Sequence, residues 1–193
     1  MRDQYGRTVD YLRLSVTDLC NYRCQYCMGP QGVEKRPRGA MLSVEECVEI
    51  GAAAVACGVK KIRLTGGEPL VRRGLLDICR GLRALPGLEE LCLTTNGSLL
   101  PNLAGPLRKA GVDRLNISLD TLRPDRFAAM TRLGRLEDAL SGIRAAEDAG
   151  FTNLKLDTVL IGGFNDDEIK DFLALTMDHP WEVRFIELMP MGP

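Results

Sequence analysis

Nothing in this chain of 193 residues reads as a membrane or secretion signal. No uninterrupted apolar run reaches the roughly 20 residues that a transmembrane helix needs. The basic, polar start from Met1 to Tyr11 has no signal-peptide hydrophobic region. An excess of one charge is missing as well. The formal net charge is −1, which gives no support to a nucleic-acid or membrane-surface role. There is no low-complexity segment and no linker, so residues 1–193 read as one domain with a sizeable core. An even set of cysteines is absent too. There are seven, and three of them are clustered, so thiols in a reducing compartment, by default the cytosol, are expected rather than a disulfide framework.

The clustered three are what is present in their place. Cys20-Asn21-Tyr22-Arg23-Cys24-Gln25-Tyr26-Cys27 spaces them as C-x3-C-x2-C, with no fourth cysteine or histidine close by. Structural zinc takes four ligands, usually as paired knuckles. A 4Fe-4S cluster held by three thiolates leaves one iron without a protein ligand, open to a small molecule. From the spacing alone three readings stand: such a cluster, half of a zinc site completed elsewhere, or inert thiols. Cys47, Cys57, Cys79 and Cys92 are scattered, repeat no cluster spacing, and read as small core or surface residues.

The rest of the chain alternates strand and helix. Strands are expected at about 11–16, 60–65, 89–94, 113–119, 154–161 and 182–188, with helices near 43–57, 72–85, 102–110, 124–130, 135–149 and 166–178. Ser43 with Glu46 makes a capping box, Asp166 precedes the last helix, and Gly58, Gly111 and Gly150 close three others. A β-α order repeated six times predicts a parallel sheet with right-handed crossovers. A parallel sheet covered on both faces would have near-continuous apolar strands. Here Leu12 and Leu14 alternate with Arg13 and Ser15, Ile62 and Leu64 with Arg63 and Thr65, and Leu115 and Ile117 with Asn116 and Ser118. One face therefore meets helices and the other something wet or ligand-filled. Six units are too few for the eight-stranded barrel, so the expectation is an open, partial (β/α)6 TIM-like barrel.

Chemistry in such folds sits at the C-terminal ends of the strands. The cysteine stretch follows the first strand, Gly66-Gly67-Glu68-Pro69 the second, Thr94-Thr95-Asn96-Gly97 the third; Ser118-Leu119-Asp120 ends the fourth and Glu187-Leu188-Met189 the sixth. An open iron there can chelate an amino acid, such as the methionine part of S-adenosylmethionine, whose one-electron cleavage gives a 5'-deoxyadenosyl radical. Gly66 and Gly67 would let backbone approach that ligand, Glu68 would accept from its ammonium, and Tyr26 would pack on adenine. Arg13, Arg63 and Lys155 fall on the inward face. They either pair with internal carboxylates such as Asp120 and Asp157 or await an anion. With Thr94 they suit a polyphosphate.

These motifs together resemble the radical S-adenosylmethionine enzymes. Tyr11–Asp18, Ile62–Leu70, Thr94–Gly97, Asn116–Thr121 and Arg184–Met189 are similar, more closely, to the GTP 3',8-cyclase family of molybdenum cofactor biosynthesis. The resemblance implies one 4Fe-4S cluster on Cys20, Cys24 and Cys27. It implies S-adenosylmethionine on Tyr26, Gly67, Ser118 and Met189, and GTP on Arg13, Arg63, Thr94 and Lys155. It implies a lyase reaction in which hydrogen is taken from ribose C3' and that carbon attacks guanine C8. A reductant of the flavodoxin type would supply electrons. That family continues beyond this length and carries three more cysteines for a second cluster, so weak or no GTP turnover is expected of residues 1–193 alone. A homodimer or another partner is expected to cover the open barrel edge. A divergent radical enzyme with another substrate and a non-catalytic iron–sulfur or zinc module are the alternatives.

Overall fold

The computed structural model describes residues 2–34 and 41–189. Much of the Gly/Pro-rich loop expected from Met28 to Met41 therefore lies outside the described residues. Six strands, β1 (Tyr11–Ser15), β2 (Lys61–Thr65), β3 (Glu90–Thr95), β4 (Arg114–Ser118), β5 (Lys155–Leu160) and β6 (Glu182–Glu187), pair in sequence order. Every pairing is parallel. The sheet does not close: β1 and β6 are its two edges. The helices are α1 (Val44–Ala56), α2 (Leu75–Arg83), α3 (Leu100–Lys109), α4 (Pro124–Thr131), α5 (Leu136–Asp148) and α6 (Ile169–Asp178).

The expected alternation governs the packing. Ile62, Leu64, Leu91, Leu93, Leu115, Ile117, Leu154 and Leu156 are buried in one core with Ile78, Leu82, Leu107 and Ile143 of the helices. Two helical glycines let α1 and α2 approach: a Cβ on Gly51 would lie 2.2 Å from Leu82 Cδ2, and one on Gly81 2.5 Å from Val48 Cγ2. α1 starts on the expected capping box, with Ser43 Oγ accepting from Glu46 N at 3.1 Å and Glu46 Oε2 accepting from Ser43 N at 2.7 Å. Gly58, Gly111 and Gly150 follow α1, α3 and α5 with φ of +95°, +90° and +85°, a conformation that ends a helix without Cβ strain.

Two helix starts differ from expectation. α2 begins at Leu75 rather than near 72, because Gly74 stands at φ +80° and Arg72 is extended, its guanidinium donating to Val16 O at 3.1 Å and to Leu42 O. Residues Asp166–Glu168 form a 3-10 turn before α6, and Asp166 makes no side-chain cap. Glu168 is drawn inward there, accepting from Thr121 Oγ1 at 2.7 Å, Leu122 N at 2.7 Å and Arg126 Nη1 at 2.7 Å.

Candidate active site

Above the strands, the segment entering the cysteine loop continues the β1–β2 pairing as loop backbone. Gly67 N donates to Thr17 O at 2.7 Å and Glu68 N to Leu19 O at 2.8 Å. The two glycines make this approach. A Cβ on Gly66 (φ +155°) would lie 2.3 Å from Thr17 O, and one on Gly67 2.3 Å from Leu19 O. The space of their missing side chains is thus taken by the backbone that leads into Cys20.

Glu68 is likewise engaged within the protein. It is 2 % exposed. Its Oε1 accepts from Thr95 Oγ1 at 2.7 Å and Leu70 N at 3.0 Å, and its Oε2 from Asn96 N at 2.7 Å. Burial pushes its carboxyl above the ordinary range, against the opposing pull of these donors. Asn96 Nδ2 then donates to Asn21 Oδ1 at 2.8 Å, and Asn21 Nδ2 to Ser98 Oγ at 2.9 Å. Glu68 and Asn21 so tie the β2 end, the β3 end and the cysteine loop into one unit.

The loop's far side rests on the C-terminal end of α4. Arg23 N donates to Thr131 O and Gln25 N to Met130 O, both at 3.0 Å, and Gln25 Nε2 donates to Ala129 O at 2.8 Å. Helix-terminal carbonyls lack intrahelical donors, so the loop satisfies them. Arg132 follows at φ +61° and ψ −33°, the one non-glycine residue with positive φ among the described residues. Its Nη1 donates to Arg23 O at 2.6 Å and Met28 O at 2.9 Å. Backbone strain of this kind costs about 1–3 kcal/mol and persists where surrounding contacts over-determine it.

Within this frame Cys20 and Cys24 are half-buried and Cys27 is exposed. The three thiols are near enough to act on one another's ionisation. Burial raises the Cys20 thiol and pushes that of Cys24 to about 12, with Asp120 and the other two thiols adding to the rise at Cys24. Tyr22 N donates to Cys20 Sγ at 3.3 Å. Among the described residues no three His, Cys, Asp and Glu side chains gather as the donors of a single ion. Three thiolates are the protein donor set of a 4Fe-4S cluster that keeps one iron open. Three mutually sensitive thiols with a backbone N–H on one sulfur fit that donor set.

Tyr26, beside the last cysteine, donates its hydroxyl to Asp120 Oδ2 at 2.8 Å, and burial with the Asp120 charge pushes its phenol upward. Asp120 also accepts from Val159 N at 2.9 Å, and burial raises its carboxyl. Ser118, Asp120, Tyr26 and Cys24 border a small cavity of about 30 Å³. Met189 lies two residues beyond β6, 63 % exposed, and borders neither this cavity nor the larger one below.

The larger cavity is the barrel lumen, about 480 Å³. Arg13, Arg63, Thr94 and Lys155 all line it, as the alternation predicts, together with Tyr11, Lys61, Arg114, Asn116, Asp157 and Arg184. The additional residues obey the same i, i+2 rule: Lys61 precedes Arg63 by two and Arg114 precedes Asn116 by two. That signal was present in the sequence. Lys155 pairs with Glu182, outside the pair of aspartates considered from sequence, and Lys61 pairs with Glu90. Arg114 Nη2 lies 2.8 Å from Glu90 Oε1 and Arg184 Nη1 3.5 Å from Asp157 Oδ1. Arg13 and Arg63 stand in register on adjacent strands without a carboxylate partner among the described residues. Arg63 Nε donates to Tyr11 OH at 2.6 Å and Nη1 to Thr94 Oγ1 at 3.2 Å. Like charges side by side on a sheet are unfavourable, and an anion would resolve that. Asn116 Oδ1 and Asp157 Oδ1 are buried without a hydrogen-bond donor.

An open parallel barrel with a three-thiol loop on the C-terminal rim and a cationic lumen beneath it defines the class that couples iron–sulfur chemistry to an enclosed small molecule. The Radical SAM superfamily pattern matches residues 14–176, and the chain belongs to that family, whose cofactors are a 4Fe-4S cluster and S-adenosylmethionine. It is 55% identical over 188 residues to the GTP 3',8-cyclase of Peptoclostridium acidaminophilum, covering 97% of this chain and 58% of that protein. It is 56% identical to the GTP 3',8-cyclase of Geobacter sulfurreducens, with the same coverage. The chain thus spans a little under three-fifths of the length of these relatives. Its fold is shared with Streptococcus suis SuiB bound to S-adenosylmethionine (TM-score 0.76, 15% identity, 95% of this chain and 40% of that one). It is also shared with anSMEcpe with bound AdoMet (TM-score 0.69, 15% identity, 93% and 51%).

Proposed function

We propose that this chain is the catalytic barrel of a GTP 3',8-cyclase, acting in the first step of molybdopterin biosynthesis. Cys20, Cys24 and Cys27 would hold the cluster, and Tyr26, Gly67, Ser118 and Met189 would border S-adenosylmethionine. When bound, the cluster and S-adenosylmethionine supply a one-electron cleavage that yields a 5'-deoxyadenosyl radical for hydrogen abstraction. The observation that carries the substrate reading is the lumen. Arg13, Lys61, Arg63, Arg114, Lys155 and Arg184 line it; Lys61 and Arg114 pair with Glu90, Lys155 with Glu182 and Arg184 with Asp157. A triphosphate would engage Arg13 and Arg63 with Thr94 and Lys155. Asn116 Oδ1, a buried acceptor without a donor, would take a donor hydrogen from the same ligand. Held there, the nucleotide would lie beneath the thiol loop, against the inward face of the sheet.

Soluble reductant of the flavodoxin type and a cytoplasmic setting complete the reading. Among the described residues no helix is long and apolar enough to cross a membrane. The β6 side, where Ile186, Leu188 and Met189 are exposed, would be covered by a partner or a second copy. The test is anaerobic reconstitution with iron and sulfide. About four irons per chain, 5'-deoxyadenosine formed under reductant, and GTP binding that weakens in an Arg63→Ala variant support the proposal. An iron-loaded chain that binds S-adenosylmethionine but is indifferent to GTP would instead favour a radical enzyme with another substrate.

A further inference from the structure

We propose that Arg132 is a positioning residue that holds the cysteine loop in its ligating shape before any metal arrives. This goes beyond the substrate reading and rests only on the assignment of the loop to the cluster. Arg132 lies 109 residues from Arg23 in sequence, yet its guanidinium bonds Arg23 O at 2.6 Å and Met28 O at 2.9 Å. Those two carbonyls bracket Cys24 and Cys27. Arg23 adds a second brace within the loop, its Nη1 donating to Cys20 O at 2.6 Å and Tyr22 O at 2.7 Å. The backbone at Arg132, φ +61° and ψ −33°, lies outside the ordinary left-handed well.

The surroundings explain how that strain is held. Arg132 N donates to Ala128 O at 2.9 Å, which closes α4. Two residues on, Gly134 N donates to Thr131 Oγ1 at 3.1 Å, and a Cβ on Gly134 would meet Tyr22 Cζ at 2.6 Å. The chain therefore has to double back beneath Tyr22 immediately after α4, and Arg132 is the residue at that bend. The bend sends the guanidinium over the loop while the last carbonyls of α4, Met130 O and Thr131 O, take the Gln25 and Arg23 amides. A residue serving only to end the helix would need no contact with the loop, and glycine would suit the position better.

The experiment compares wild type with Arg132→Gly, Arg132→Ala and Arg132→Lys as cluster-free chains, by hydrogen–deuterium exchange of the Arg23–Met28 segment beside global thermal unfolding. Arg132→Gly removes the strain and the guanidinium together, so it stays folded. The expected result is exchange of the loop about tenfold faster in Arg132→Gly and Arg132→Ala, other segments unchanged, and Arg132→Lys intermediate. After anaerobic reconstitution, the expected companion result is faster loss of iron–sulfur absorbance to a chelator and a broadened electron paramagnetic resonance signal in Arg132→Gly. Loop exchange equal to wild type in Arg132→Gly and Arg132→Ala overturns the proposal. So does uniform acceleration over every segment, which marks a purely global effect. A wild-type chain that takes up no iron would defeat the cluster assignment, and with it the companion result, while leaving the exchange comparison readable.

Discussion

Two glycine-to-alanine substitutions in this chain should act with opposite sign. In Gly67→Ala the new methyl would sit 2.3 Å from Leu19 O, 2.6 Å from Leu19 C and 2.7 Å from Asp18 O, where real Cβ atoms stay beyond 3.0 Å. The obstruction is backbone on every side, so no rotamer change relieves it. Leu19 O has to retreat by about 0.7 Å or more, the gap between 2.3 and 3.0 Å. That carbonyl accepts from Glu68 N at 2.8 Å, and Thr17 O accepts from Gly67 N at 2.7 Å, so both bonds stretch. Overpacking of this kind costs about 1–3 kcal/mol and each weakened bond about 0.5–1.5 kcal/mol. A total near 3 kcal/mol lowers Tm by roughly 6–12 °C at this size. Cys20 follows Leu19 directly, so iron loading should fall as well. Gly105 is the internal control: it lies inside α3, and a Cβ there meets nothing within 4 Å. Gly105→Ala should add about 0.5–1 kcal/mol. Calorimetry of the cluster-free chain reads both. A Gly67→Ala protein melting within about 2 °C of wild type, with iron loading intact, would refute the claim that the rim glycines exist to seat the cysteine loop.

Other expectations follow from the same geometry. Replacing any one of Cys20, Cys24 and Cys27 by serine should abolish stable iron–sulfur absorbance, whereas Cys57→Ser should not. Arg63→Ala removes a cation that has no carboxylate partner among the described residues, so it should weaken nucleoside triphosphate binding about tenfold, with reduced salt dependence, as read by titration calorimetry. Glu68→Gln puts an amide N–H₂ opposite Asn96 N or Thr95 Oγ1 and should cost about 1–3 kcal/mol. Burial raises the Glu68 carboxyl in the fold. Its stabilising share is therefore complete below the unfolded carboxylate range and declines as pH rises through the folded value. Urea unfolding should show the wild-type advantage over Glu68→Gln shrinking as pH rises above the ordinary carboxylate range. An advantage that grows with pH would contradict that sign.

The lumen was legible because a one-sided parallel strand carries its ligand face at every second residue. Arg13, Arg63 and Lys155 came from that rule, and Lys61, Arg114 and Arg184 obey it too. The radical-enzyme likeness and its GTP-cyclase relatives agree with the C-x3-C-x2-C spacing and the Gly66-Gly67-Glu68-Pro69 turn. What the sequence hid was partnership. A glycine shows that a Cβ is missing but not what lies in its place: on that side Gly66 faces Thr17 and Gly67 faces Leu19. Glu68 read as an acceptor for an ammonium, yet Leu70, Thr95 and Asn96 already supply its donors. Lys155 meets Glu182 because the β5–β6 register puts them level, and Asp120 meets Tyr26 because the cysteine loop folds over the end of β4. Arg132 carries no motif at all, and only the fold brings it to Arg23 and Met28.

The two unjoined sheet edges at β1 and β6 bear on how widely such a scaffold is reused. A closed barrel has its bore set by strand number and shear. Here no hydrogen-bond ladder links the first strand to the last, so the girth of the interior is free of that constraint. β1 runs directly into the thiol loop, whose entry is held by Gly67 N on Thr17 O and Glu68 N on Leu19 O, so the edge left free of the reactive loop is β6. Proteins only 15% identical to this chain, including one crystallised with a precursor peptide, keep the same frame.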